Sequence, residues 1–84
     1  MASDPVEEWT LDRSWRFVTS SNVEAIRYLY DEQILEVEFQ YNRYYQYYNV
    51  PVDVAKAMYR SNSPGVFVND VLVDYSFTNL PALS

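Results

Sequence analysis

The chain has 84 residues and a formal charge of −6, from twelve acids and six bases, with no histidine and no cysteine. That length makes one domain and leaves a thin stability margin without disulfide or zinc staples. The lack of histidine and cysteine excludes His- or Cys-based nucleophilic triads and most zinc chemistry. The bases are one lysine, Lys56, and the dispersed Arg13, Arg16, Arg27, Arg43 and Arg60. Binding to duplex DNA or anionic lipid needs a clustered Lys/Arg surface, so neither is expected. The opening "MASDPVEEW" has neither a basic nor an apolar signal region, and no apolar run approaches the ~20 residues of a membrane span. A cytoplasmic, soluble protein is expected. Aromatic residues make up 18% of the chain and nine of them are tyrosines; burying them is one way for so small a domain to build a core.

Asp4-Pro5-Val6-Glu7 reads as a helix start, with Asp4 as N-cap and Pro5 as the first helical residue. One or two turns are expected, then an extended piece at Trp15–Val18. "VEAIRYLY" at 23–30 reads as a strand and Asp31-Glu32-Gln33 as a turn. "ILEVEFQ" at 34–40 alternates, with Leu35, Val37 and Phe39 on one side and Glu36, Glu38 and Gln40 on the other. A tight turn at Tyr41-Asn42-Arg43 leads into a tyrosine strand, Tyr44–Val50. Pro51 opens a helix, "PVDVAKAMYRS", with Asp53 and Arg60 placed to suit its dipole. Val54, Ala57 and Met58 are expected to meet the sheet. Asn62-Ser63-Pro64-Gly65 ends that helix, with Gly65 as the release. "VFVNDVLVDYSF" predicts a short final extended segment and "TNLPALS" a loose tail.

This order of features resembles the KTSC domain, a family named for its occurrence at the C-terminus of some lysyl-tRNA synthetases. The matching residues are Ser20-Ser21-Asn22-Val23, Ile26, Tyr28 and "LEVEF" at 35–39. Tyr45-x-Tyr47 before Val50-Pro51, Ser63-x-Gly65, Phe67 and Asn69 complete the set, about two thirds of the chain. The resemblance implies an α+β domain, found also in stand-alone bacterial and phage proteins, for which RNA binding has been suggested. Two departures stand out. The hairpin turn usual in the family, Asn-Gly, is here Tyr41-Asn42. A basic residue often found after Asn69 is replaced by a stretch running from Asp70 to Asp74, which removes positive charge from the RNA reading. Trp9 and Trp15 lie outside the match.

Alternate residues of a strand point oppositely, so Tyr44 and Tyr48 share one face and Tyr45 and Tyr47 the other. A two-residue hairpin loop sets Tyr45 and Tyr47 beside Glu36 and Glu38; a three-residue loop sets them beside Val37 and Phe39. The sequence leaves both open, with one pair expected to stay partly exposed. Exposed tyrosines anchor protein interfaces or stack single-stranded bases. Glu36 and Glu38, with Asp31, are grouped as a hard-cation site or carboxylate pair would need. The simpler reading is the solvated side of an amphipathic strand.

The expected fold is α+β: a three-stranded antiparallel meander with one helix packed on it and a short C-terminal extended segment. Residues 1–19 form an N-terminal extension, 20–77 the domain and 78–84 a tail. The expected function is a small non-catalytic module binding a protein partner, a basic or nucleic-acid-handling protein above all. RNA or single-stranded nucleic acid is the alternative. The binding residues are Tyr44, Tyr45, Tyr47, Tyr48, Phe67 and Asn69; no catalytic residue, metal or cofactor is assigned. In a gel-shift assay at ~0.15 M salt the protein should leave duplex DNA unshifted; salt-sensitive, sub-micromolar binding would overturn the electrostatic reading.

Overall fold

The computed structural model describes residues 5–80. Asp4, expected as the first N-cap, and the end of the expected tail lie outside them. Helix α1 (Pro5–Asp12) is followed by a two-residue strand β1 (Arg16–Phe17). Then come β2 (Val23–Leu29), β3 (Ile34–Phe39), β4 (Arg43–Tyr47) and helix α2 (Val52–Arg60). A second short helix α3 (Pro64–Asp70), a 3₁₀ turn (Leu72–Asp74) and β5 (Phe77–Leu80) end the described chain. The five strands form one antiparallel sheet in the order β1-β2-β3-β4-β5. The fold is α+β, and the described residues form five strands and three helices rather than a three-stranded meander with one helix. No helix among the described residues is long and apolar enough to cross a membrane.

The β3–β4 hairpin sets the phase of the sheet. Phe39 pairs with Arg43, Val37 with Tyr45 and Leu35 with Tyr47, so three residues, 40–42, form the loop and odd positions face odd. That puts Tyr45 and Tyr47 on the side of Leu35, Val37 and Phe39. A bulge between Val23 and Ala25 shifts β2 by one, so that Val23, Ile26 and Tyr28 join this side.

Helix side chains close over it. Trp9 from α1, Ala55 and Met58 from α2, and Leu72 enter one buried cluster with Ile26, Leu35 and Val37. Trp9 is fully buried, meets Tyr59 edge-on at 4.8 Å and donates its indole N–H to the Ser14 carbonyl at 3.0 Å. The N-terminal segment is therefore part of the core. The Tyr28 hydroxyl donates to the Val50 carbonyl at 2.6 Å, tying β2 to the start of α2.

Other expectations are corrected. Ala57 is exposed and Ala55 takes its place in the core. Residues 64–74 are helical, not extended. Phe67, Val68, Val71 and Leu72 recur at helical spacing and are buried or half-buried, whereas Val66, Asn69, Asp70 and Val73 are exposed. That is a 3.6-residue stripe, hidden in a nearly continuous apolar run. Pro64 supplies the fixed φ for the first turn, so Gly65 lies inside this helix instead of releasing the previous one. Part of the expected tail is β5, in register with β4 from Tyr47↔Phe77 to Tyr44↔Leu80.

The hairpin carries a visible strain. Tyr41 and Asn42 have φ of 66° and 57°. Asn tolerates this region, while a tyrosine Cβ there costs roughly 1–2 kcal/mol. Tyr41 is 90% exposed and has little packing to lose. Tyr41→Asn should stabilise the domain by about 1 kcal/mol and raise Tm by about 4–8 °C, readable by circular-dichroism melting. A lower Tm would show that the Tyr41 ring is held by contacts worth more than the strain.

Candidate functional site: a cleft at the aromatic half of the sheet

Tyr45 and Tyr47 occupy the helix-side face of β4, but helices cover that face unevenly. On β5, Phe77 pairs with Tyr47, and its ring stacks on Tyr45 with centroids 5.2 Å apart and planes 24° apart. Tyr45 also stacks on Tyr47 at 6.3 Å and meets Phe39 edge-on at 5.1 Å. Tyr47 is buried and Tyr45 half-buried, whereas Phe77 keeps 54% of its surface in solvent. The result is an aromatic platform running from β3 to β5, open at the Phe77 end.

A cleft of about 200 Å³ lies beside this platform. Its walls are Phe39, Arg43, Tyr45 and Tyr47 from the sheet, Asn22 before β2, and Val68 and Asn69 of α3. Arg43, Tyr45 and Tyr47 share a face because they are two apart in one strand. The Arg43 Nε donates to the Gln40 carbonyl at 3.1 Å, and its guanidinium stands 5.7 Å from the Phe39 ring centroid. Burial pushes the Tyr47 phenol up to about 12, with a smaller contribution from neighbouring Tyr45. At neutral pH it is a hydrogen-bond donor and carries no charge.

The opposite face holds Tyr44 and Tyr48. Tyr44 is 9% exposed; its hydroxyl donates to Glu38 Oε2 at 3.0 Å, and its ring meets Trp15 edge-on at 6.0 Å. Burial, together with the Glu38 carboxylate, holds its phenol above the ordinary range. Glu36, expected on a solvated side, is 5% exposed. Arg27 Nε donates to it at 2.7 Å and Gln46 Nε2 at 2.6 Å. Arg27 in turn stands 5.0 Å from the Trp15 ring centroid. The Tyr48 hydroxyl, on a half-buried side chain, lies 2.6 Å from Thr78 Oγ1. This face is a self-satisfied polar sheet reaching from β2 to β5.

One tyrosine pair is expected to stay at least partly exposed, but exposure does not separate the two pairs. Each pair has one buried member, Tyr47 or Tyr44, and one half-buried member, Tyr45 or Tyr48. Of the six residues singled out by sequence, Tyr45, Tyr47 and Asn69 meet in the cleft. Phe67 packs against the core instead, and Tyr44 and Tyr48 lie across the sheet. Sequence reasoning missed Arg43 and Phe77. Arg43 could have been found from its period-two spacing with Tyr45 and Tyr47 once the loop length was chosen; Phe77 had no local signal.

A second constellation is structural. Ser20 Oγ accepts the backbone N–H groups of Asn22 and Val23 at 3.2 and 3.3 Å, and it lies 3.6 Å from where a Cβ on Gly65 would sit. The "SSN" and "SxG" stretches thus meet at one seam, next to the cleft residue Asn22.

The family model of the KTSC domain matches residues 19–76. The chain belongs to the KTSC domain family. Among solved structures it is similar to the crystal structure of a KTSC domain protein from Yersinia pestis, with a TM-score of 0.77 and 26% identity. That match covers 81% of this chain and 97% of the other. No curated protein matches the sequence. The KTSC match starts after α1, although Trp9 of α1 is among the most buried side chains.

The raised Tyr47 phenol has a pH consequence. Its folded value lies above the unfolded value near 10, so the stability it contributes is fully present below about pH 10. It is lost as pH rises toward about 12. Denaturant midpoints should therefore fall between pH 10 and 12, and Tyr47→Phe should flatten that fall relative to wild type. An identical alkaline slope in the variant would assign the loss to other groups.

Proposed function

We propose that this KTSC domain is a non-catalytic binding module that holds a protein partner against the Tyr45–Phe77 platform. The observation that carries the reading is Phe77, half exposed yet stacked on Tyr45. A large aromatic side chain already fixed by stacking loses little rotamer freedom on binding, which is the property of an interface anchor. Asn69 and Val68 give the platform a rim, so a partner side chain can be enclosed on two sides.

Charge favours a protein over a nucleic acid. The chain is at −6, and four of its bases are taken by its own acids. Arg13 pairs with Glu32, Arg16 with Asp12, Arg27 with Glu36 and Lys56 with Glu7. A polyphosphate backbone needs several cations in a row. A basic protein suits the acidic surface, including one whose nucleic-acid site an acidic domain would fill. Single-stranded RNA stacked on Tyr45 and Phe77 is the competing occupant.

Selection of phage-displayed peptides on the folded domain tests this. Peptides that bind wild type should bind Phe77→Ser about tenfold more weakly or worse, with circular dichroism unchanged because Phe77 lies on an edge strand. Fluorescence anisotropy with a random single-stranded RNA 12-mer supplies the second arm. Peptide binding indifferent to Phe77→Ser would remove the platform as the site. Sub-micromolar RNA binding at ~0.15 M salt would replace the protein partner with RNA.

A further inference from the structure

Arg43 differs from the bases that pair with acids. Its Nε is occupied by the Gln40 carbonyl, but among the described residues no carboxylate reaches its terminal nitrogens. The neighbouring cleft contains no acidic side chain, in a chain with twelve acids. Its polar walls are Asn22, Asn69, Tyr45 and Tyr47, and among the described residues the side-chain hydrogen bonds leave all four uncommitted. A neutral wall around an unpaired guanidinium, within an acidic molecule, is a local well for one negative charge.

We infer that the cleft is a carboxylate site, and that it takes the C-terminal carboxylate of the partner chain while the last side chain lies on the Tyr45–Phe77 platform. The inference rests on the protein-binding reading and deepens it. Three features select this occupant. A guanidinium anchored through Nε presents its remaining N–H groups as a planar fork, which matches a carboxylate. The cleft's 200 Å³ is below the usual ~300–1,000 Å³ of a small-molecule pocket, so it suits a single terminal residue. One uncommitted arginine balances one charge, whereas a nucleic-acid backbone brings a charge with every nucleotide. The amides of Asn22 and Asn69 and the phenol of Tyr47, protonated at neutral pH, supply the donors a carboxylate needs for its remaining lone pairs.

The probe is N-acetyl-L-phenylalanine, a terminal carboxylate bearing an aromatic side chain, titrated into the ¹⁵N-labelled domain at pH 7. The expected result is a set of shifts confined to the Asn22 and Asn69 side-chain amides, Arg43 Nε–H and the backbone at Tyr45. A Kd on the order of 1 mM is expected for so small a fragment. N-acetyl-L-phenylalaninamide, which lacks the charge, should bind at least tenfold more weakly. So should N-acetyl-L-glutamic acid α-amide, whose one carboxylate is on the side chain. Arg43→Gln, at an exposed position, should abolish the shifts with the rest of the spectrum intact. Equal binding of acid and amide, or no shifts by 10 mM, would overturn the inference. If inorganic phosphate shifted the same signals at lower concentration, the site would be one for phosphoryl groups and the carboxylate assignment would fall. Peptides that still depend on Phe77 while the titration fails would sink this inference alone and leave the binding reading standing.

Discussion

Three residues between Phe39 and Arg43 set the phase on which the rest of the molecule depends. In an antiparallel pair the side-chain period is two, so changing the loop by one residue exchanges every face of β4. With the loop at 40–42, Tyr47 enters the core beside Leu35, and Tyr45 lies against Phe39 and Phe77. With one residue fewer, Gln46 and Tyr44 would turn inward and the tyrosines would stand against Glu36 and Glu38. The phase also decides where Arg43 points its charge, because Arg43 follows Tyr45 and Tyr47 by alternation. Turn, core and cleft are thus one choice made once, and the positive φ at Tyr41 is the local strain that accompanies it.

A sheet in so small a domain cannot spare two apolar layers, and this one solves its second face by polar saturation. Ala25 and Leu29 are buried there with Glu36 and Tyr44, yet the helices' large buried side chains join the opposite cluster. Arg27, Gln46, Tyr44, Tyr48 and Trp15 lie across the strands and cover the backbone themselves. No described buried side-chain nitrogen or oxygen lacks a partner. Because breaking such a network leaves a buried charge unmatched, this face is constrained by its own closure. The helix side stays open at β5, where Phe77 is half exposed.

Where local pattern and tertiary environment agreed, the sequence was legible. β2 to β4 show β-branched and aromatic residues with period two, and α2 follows Pro51, which is its extended N-cap and not its first helical residue, with Asp53 in the first turn. Agreement fails at the C-terminal third. Residues 66–73 are apolar at most positions, so period two and period 3.6 fit almost equally, and the contacts of Phe67, Val68 and Leu72 decide for the helix. β5 has no internal signal, because Thr78 and Asn79 are exposed and only the free edge of β4 makes it a strand. The site was legible in part: the YxY pair and Asn69 came from the pattern of a resembling family, while Arg43 depended on a loop length that the sequence leaves undecided. Glu36 misled for the opposite reason, since alternation marks a face as polar without saying whether water reaches it.

The placement of α1 has a consequence for the order in which the chain can mature. Trp9 needs Tyr59, and Glu7 meets Lys56 across a separation of 49 residues. Helix α1 therefore waits for α2, about forty residues further on, before its indole has a home, and β4 keeps a free edge until β5 follows. The β2–β4 hairpins are local in sequence and can pair early, but Trp9 cannot join the layer over them until α2 has formed. The cost of closing so long a loop grows only slowly with its length, so α1 docks after the hairpins it covers instead of folding before them.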